Sequence, residues 1–520
     1  MCYYTKQCEK KTKYKKESDT AYIGKFLSYV YSSLAETVRL FFYVILSKKI
    51  NKKGEIILKL IYDVADKPKF SQNLVFAFQQ MIAIMAATLL VPMLISSFGL
   101  PADPAAALFG AGIGTIVYLL FTKRRSPVFL GSSFTFLGAY SASIGQNYGY
   151  WGIIIGVLFA GLVYVVLGVV IKFTGSNWVN KIMPPVIIGP IVTLIGLSLS
   201  GTATSWVMGN GAAAVTYGET YSWVSIIVGL FTFFMIVIAS VKGSKNIKLI
   251  PFIVGIGAGY VLALVLTVIG MVANLPGLQI LSFQPFIDTF SNFSIQSIID
   301  YPKFFFLKAI ETKGQYPLDA SAIASIAMIY VPIGVVELSQ HIADHKNLSS
   351  IIERDLIKDP GLDKTLLGDG VGSMVGAFFG GCANTTYGES IGCLAITGNA
   401  STSTIFTAGL GCMVLSFFTP FVAVINSIPK CVMGGACIAL YGLIAVAGLQ
   451  MLHRVDLGDS KNLFVVSAIL VCGIGGLYFG FGFNELIGGP LLNITSLAVA
   501  LIVGLVTNII VNNGKLKSGE

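Results

Sequence analysis

The stretch NTTYGESIGCLAITG, Asn384–Gly398, sets a carboxylate, Glu389, between Gly388 and a run of apolar residues that is itself interrupted by Gly392 and Gly398. It is too short and too rich in small residues to be an ordinary spanning helix. A second stretch of the same kind, PVFLGSSFTFLGAYSAS, lies at Pro127–Ser143. Both pack Gly, Ser and Thr around a short apolar centre. Around them the chain is apolar: 55% of its 520 residues are hydrophobic and 12% charged, which excludes a water-soluble fold of ordinary size.

Apolar runs of about 20 residues, enough to cross the hydrocarbon of a bilayer, recur from Leu74 almost to the C-terminus. The clear ones are Leu74–Ile95, Pro104–Phe121, Tyr150–Phe173, Met183–Ser200, Ser222–Val241, Leu249–Ala273, Ala320–His341, Thr365–Gly381, Ser401–Ile425, Cys431–Leu449, Leu463–Phe481 and Asn493–Val511. With the two broken stretches these make fourteen transmembrane segments, an even number, so both termini share a side. Lys and Arg gather in cytoplasmic loops. Counted from a cytoplasmic N-terminus, Lys123–Arg125, Lys242/Lys245/Lys248, His345–Lys364 and His453–Lys461 all fall inside, and the loop Gly201–Tyr221 on the other side has neither residue type. The net charge of +10 therefore reads as topology and contact with anionic membrane lipid, not as nucleic-acid binding.

Residues 1–60 differ from the rest. Their Lys-rich composition reads as a cytoplasmic tail, and LFFYVILSKK from Leu40 as an interfacial helix too short to span. The eight cysteines make no metal-binding spacing and read as small hydrophobes. No cofactor and no metal is expected.

The broken stretches are third and tenth if the chain is two halves of seven segments. Interrupted segments at matching places point to an inverted-repeat transporter, with the substrate where the broken elements meet. Gly and Ser used only for close helix packing is the alternative. On the eighth segment, VVELSQHIADHKN places Glu337, Gln340, His341 and Asp344 on one helix face. Ionisable residues inside a membrane usually line ion or substrate pathways. Glu337 and Gln340 read as functional; His341 as a proton-linked group or a satisfied interhelical hydrogen bond; His345 and Lys346 as the cytoplasmic helix end.

The motifs NTTYGESIGCLAITGNAST, HIADHKNLSSIIERDLIKDPGL, GSSFTFLGA, MAATLLVP and IPKCVMGGACIALYGLIAVAGLQML together resemble the uracil/xanthine permeases of the nucleobase–ascorbate transporter family, the uracil branch most closely. The resemblance spans roughly residues 61–511. It implies an all-α polytopic membrane fold of fourteen segments in two inverted repeats of seven, with short strands in the third and tenth. A core domain would comprise residues 61–173 and 320–428, a gate domain 174–274 and 429–512, joined by an extracytoplasmic loop at 275–319, with 513–520 a cytoplasmic C-terminus. The family pattern also implies dimerisation through the gate, and so a homodimer in the cell membrane.

The resemblance further implies import of a nucleobase, uracil first and xanthine second, by proton or other cation symport. Glu389 is similar to the family's substrate-binding carboxylate. Uracil offers N–H donors beside carbonyl acceptors, and a carboxylate in a dry site accepts such bonds strongly. Tyr387 and Gly388 accompany it, Ser133 and Phe134 match the position presenting a backbone amide, and Ala87 and Tyr441 line the pocket. Gly398 stands where purine carriers tend to have a basic residue. Two residues depart from the pattern: Ser390 replaces an Asn, and Gln340 falls where the branch carries a Glu. Gln cannot release a proton. Coupling then rests on Glu337, His341, Asp344, Asp369 or Glu389, or the register shifts so that Glu337 and His341 form a Glu-x-x-x-His pair. A receptor or scaffold without flux stays open on the same departure, as do the anion transporters that share this architecture.

Overall fold

The computed structural model describes residues 60–513 apart from 176–177, 179–182, 210–221, 245–246, 249, 292, 317, 454 and 482–491, and before them the backbone of two short strands, β1 (Lys49–Ile50) and β2 (Ile56–Ile57). The rest of the tail, its expected interfacial helix included, and residues 514–520 lie outside the described residues.

The first spanning helices are α1 (Phe70–Ser97) and α2 (Pro104–Phe121), the latter started by Asp103, whose side chain accepts the Ala105 N–H, and by Pro104 at its first position. Strand β3 (Leu130–Ser132), a 3₁₀ turn (Phe134–Phe136) and the short α3 (Leu137–Gly145) come next, then α4 (Gly149–Thr174). The chain continues through α5 (Pro185–Ser198), α6 (Ser200–Val207), α7 (Trp223–Lys242) and α8 (Pro251–Val272). Two short helices, α9 (Gln284–Phe290) and α10 (Phe305–Glu311), lead to α11 (Ala320–Ile352) and α12 (Leu362–Gly380). Strand β4 (Asn384–Thr386) then opens α13 (Gly388–Thr397), succeeded by α14 (Thr402–Leu415), α15 (Thr419–Ser427), α16 (Lys430–Leu452) and α17 (Ser460–Ile474). The paired strands β5 (Phe479–Phe481) and β6 (Leu492–Ile494) precede α18 (Ser496–Asn513).

Eight helices among the described residues are long and apolar enough to cross a membrane, and the chain is a multi-pass membrane protein. Their partners sort into two groups. In one, α12 packs on α2 and α4, α11 on α4, and α14 on α1 and α2; in the other, α16 packs on α5, α6 and α7, α8 on α7, and α17 on α5 and α18. Helices of the first group meet on glycine. A Cβ at Gly110 would lie 2.6 Å from the Gly376 carbonyl oxygen, and one at Gly114 2.8 Å from that of Gly372, so α2 and α12 touch backbone to backbone.

Four expected spans end elsewhere. The run Leu463–Phe481 stops being helical at Ile474, and its Phe479–Phe481 form strand β5. Helix α11 runs past His341 to Ile352, because His345 finds partners inside the protein instead of marking an aqueous end. The run Met183–Ser200 continues after a break as α6. The run Ser401–Ile425 is not one helix: it breaks between Leu415 and Thr419, and Pro420 restarts it. The freed backbone pairs with the connection before α10, Asp300 N–H to Phe417 O at 3.1 Å and Thr419 N–H to Ile298 O at 3.0 Å. The six cysteines seen are free: Cys382, Cys393, Cys412, Cys431 and Cys437 are buried and Cys472 is half-buried.

Candidate functional site

The two broken stretches meet. Strands β3 and β4 pair antiparallel, Leu130 opposite Thr386 and Ser132 opposite Asn384, and the Ser133 N–H extends the ladder to Ala383 O at 2.9 Å. Each strand feeds a short helix, so two helix N-termini, with first-turn N–H groups lacking intrahelical acceptors, open at this crossing in the protein interior. Neighbours fix the crossing: Thr115 Oγ1 accepts the Leu130 N–H at 2.9 Å, and Ser373 Oγ donates to Asn384 O at 2.5 Å.

The glycines here divide between packing and open space. A Cβ at Gly131 would sit 2.7 Å from the Tyr387 ring, a packing contact. At Gly138, Gly388 and Gly392 it would meet nothing within 4 Å. Close packing therefore accounts for Gly131 and leaves the front of α13 open beside Glu389.

The polar candidates separate by whether the protein already uses them. Glu337, 1% exposed, accepts a hydrogen bond from Ser133 Oγ at 3.3 Å, so helix α11 is tied to the third stretch and the Ser133 hydroxyl is engaged. His341 Nδ1 faces Asp369 Oδ2 at 2.6 Å and its Nε2 faces Thr365 Oγ1 at 3.1 Å. Asp344 Oδ2 accepts from Thr386 Oγ1 at 2.9 Å, joining α11 to β4. Gln340 and Glu389, both half-buried, make no side-chain hydrogen bond or ion pair with any other described residue. Among the candidates, these two are thus left for something that is not protein, and the buried Asn384 side chain on β4 has no hydrogen-bond partner among the described residues either.

Ser390 has a defined task. Its Oγ accepts from Gln80 Nε2 on α1 and from the Phe129 N–H, the latter at 3.3 Å, so one hydroxyl binds the first turn of α13 to α1 and to the chain entering β3. Ala87, buried, lies on the same α1 against which α13 packs. The Phe134 ring meets the Tyr441 ring edge-on, centroids 5.7 Å apart, which joins the start of the third stretch to α16 of the other helix group. Tyr387 is buried with its hydroxyl 3.5 Å from Ser132 O.

Sequence reading passed over several of these groups. His345 Nδ1 donates to His341 O at 2.9 Å, Tyr118 Oη, 2.8 Å from His345 Nε2, donates to Ser126 Oγ at 2.7 Å, and Ser126 Oγ stands 3.5 Å from Nε2, which accepts from it. Gln80, a polar residue in the middle of an apolar run, carried the signal that something internal needs an amide; Thr386 and Tyr118 carried none. On the loop face, Arg125 pairs with Asp359 at 2.8 Å, which brings two of the basic clusters expected inside, Lys123–Arg125 and His345–Lys364, against each other.

A family model described as a permease family, that of the xanthine/uracil permeases, matches residues 71–480. The uracil permease of Bacillus caldolyticus is 37% identical over 454 residues, covering 87% of this chain and 95% of its own. That of Bacillus subtilis is 34% identical over 464 residues, 89% and 98% of the two chains, and that of Escherichia coli K12 30% identical over 446 residues, 85% and 94%. Among solved structures, the transmembrane domain of a cyanobacterial bicarbonate transporter, BicA, superposes with a TM-score of 0.55 at 15% identity, covering 86% of this chain and all of that one. The murine anion transporter Slc26a9 in its inward-facing state gives 0.53 at 12%, covering 86% and 69%. At such identities these two structures speak for the fold alone. With a family match over most of the chain and relatives aligned nearly end to end, the chain is a membrane transporter and not an enzyme, and it belongs to the nucleobase–ascorbate transporter family of xanthine/uracil permeases.

Proposed function

We propose that this transporter imports uracil together with a cation, protons first, by moving a core against a gate. The observation that carries the reading is the pair of unengaged groups, Glu389 and Gln340, at a crossing of two helix N-termini, in a chain whose relatives are uracil permeases. A carboxylate accepts the uracil N–H groups, an amide supplies both donor and acceptor, and backbone N–H groups at Phe134 and Gly388 meet the carbonyls. Ala87, Tyr387 and Tyr441 close the pocket, and Ser133 holds Glu337 beside it.

The fourteen segments of this reading are α1, α2, β3 with α3, α4, α5 with α6, α7 and α8, then α11, α12, β4 with α13, α14 with α15, α16, α17 and α18. The first helix group is the core and the second the gate. The proton-coupling candidates Glu337, His341, Asp344 and Asp369 sit behind the substrate groups, bonded to the strands or to α12, where the bound base and the bonded network can exchange a proton's worth of charge. The protein works as a homodimer in the cell membrane with both termini cytoplasmic.

Cells expressing the chain should accumulate radiolabelled uracil, and a protonophore should abolish the accumulation. Uptake of xanthine without uracil would move the chain to the purine branch. Uracil binding without uptake would make it a receptor, and uptake insensitive to protonophore would assign another cation.

A further inference from the structure

The short segment before α1 is built into the far end of the helix that carries Glu389. Helix α13 stops at Gly398, whose φ of 67° suits glycine. The Gly398 carbonyl accepts both the Ile61 N–H at 2.7 Å and the Tyr62 N–H at 3.3 Å, and Tyr62 O accepts the Ala400 N–H at 2.9 Å, which makes Tyr62 and Asn399 a parallel bridge pair. Val64 O then receives both the N–H (3.2 Å) and the hydroxyl (3.0 Å) of Thr402, and Ser401 Oγ donates to Asp66 O at 2.6 Å. The same segment reaches α11, since Asp63 pairs with Arg354, just beyond that helix's last turn.

We infer that residues 61–66 are a positioning segment for the substrate site: they fix where α13 ends, relative to the end of α11, and thereby where Glu389 stands relative to Gln340. The inference rests on the reading of Glu389 and Gln340 as the uracil-binding pair. A half-helix held only at its strand end is free to slide or tilt along its axis, and the chain turns between Thr397 and Thr402 with no helical ladder to hold it. Backbone bonds to residues 61–64 supply that hold at the end remote from the ligand. The ion pair adds little, because both side chains are about half exposed and such pairs contribute weakly. The main-chain pairing carries the position.

Thr402 allows a clean test. It is the first residue of α14, where proline is favoured, and Ser401 before it has φ −62° and ψ 121°, the extended shape that proline requires of its predecessor. Thr402→Pro therefore suits α14 while removing both bonds to Val64 and, with its ring where the amide hydrogen pointed, pushing the Val64 carbonyl away. Thr402→Val removes one of them, and Thr402→Ser keeps both. In the purified full chain, Thr402→Pro should weaken uracil binding about tenfold, Thr402→Val about threefold, and Thr402→Ser not at all, each bond having its usual modest worth. Calorimetric titration reads the affinities, and thermal unfolding without uracil should be nearly the same in all three. A purely structural role would lower the unfolding temperature and leave affinity alone, and that result overturns the inference.

Hydrogen exchange gives a ligand-free arm. Amides of Gly388–Thr397 should exchange faster in Thr402→Pro, and faster exchange confined to residues 398–402 overturns the inference. If the wild-type chain binds no uracil, the functional reading fails and the exchange result alone decides whether the segment holds α13. If Thr402→Pro does not fold, Thr402→Val carries both measurements.

Discussion

His341 Nδ1 stands 2.6 Å from Asp369 Oδ2, and neither side chain has any exposed surface. The contact bolts α11 to α12 through the interior, and Thr365, one turn before Asp369, takes the other ring nitrogen. Removing one member of a buried pair leaves the other desolvated and alone. Asp369→Ala should therefore lower the free energy of unfolding by about 1–3 kcal/mol, the cost of leaving a buried hydrogen-bonding group without its partner. Asp369→Asn, which retains an acceptor oxygen, should cost less. Denaturant unfolding in detergent measures both, and wild-type stability in the Ala variant would show that the pair does not hold the helices.

Glu389 predicts the opposite pattern. It makes no bond to any other described residue, so Glu389→Gln should leave thermal stability unchanged. It should weaken uracil by about 1.5–3 kcal/mol, the worth of a hydrogen bond to a charged group. Titration of the purified variant reads this directly, and unchanged affinity would remove Glu389 from the site.

Gly388 tests the open space. A Cβ there meets nothing within 4 Å, so Gly388→Ala fits the protein as it stands but places a methyl group in front of the first turn of α13. The variant should fold, insert and lose uracil uptake. Uptake at the wild-type rate would mean that the ligand lies elsewhere.

Coupling is read from Glu337 and Gln340. If Glu337 has taken over the role of the missing carboxylate, Glu337→Gln should leave uracil exchange across vesicle membranes and abolish uphill accumulation. Gln340→Glu should keep binding and steepen the dependence of uptake on pH. Uphill uptake by Glu337→Gln with an unchanged pH profile would move coupling to His341, Asp344, Asp369 or Glu389.

Deleting residues 1–51 should leave uptake close to wild type, since the main-chain bonds of the pre-α1 segment to α13 and α14 begin at Ile61. Lost uptake by a correctly inserted truncation would give those residues a part in transport.

The broken stretches were legible because a membrane leaves few reasons to crowd Gly, Ser and Thr around a carboxylate, and the stripe on α11 because charge in hydrocarbon is conspicuous. Which members of that stripe are engaged was not legible: Glu337 depends on Ser133 and Asp344 on Thr386, partners distant in sequence and ordinary in type. The break at Ser416–Phe418 was hidden in the same way, because an apolar run looks continuous until the backbone at Ile298–Asp300 arrives to pair with it. The hold of residues 61–64 on Gly398–Thr402 is mostly main-chain, and main-chain pairing leaves almost no trace in side-chain composition.

The hydroxyl of Ser390 links Gln80 to Phe129 in a space with no solvent, where Ser390 is fully buried and Gln80 is 4% exposed. Asparagine, the residue the family pattern calls for, would put a bulkier carboxamide where this hydroxyl accepts from the Gln80 amide and the Phe129 N–H. Positions 80 and 390 are therefore an epistatic pair. Ser390→Asn alone should be costly, a shortened residue 80 alone should strand the hydroxyl, and the two together should recover much of the loss.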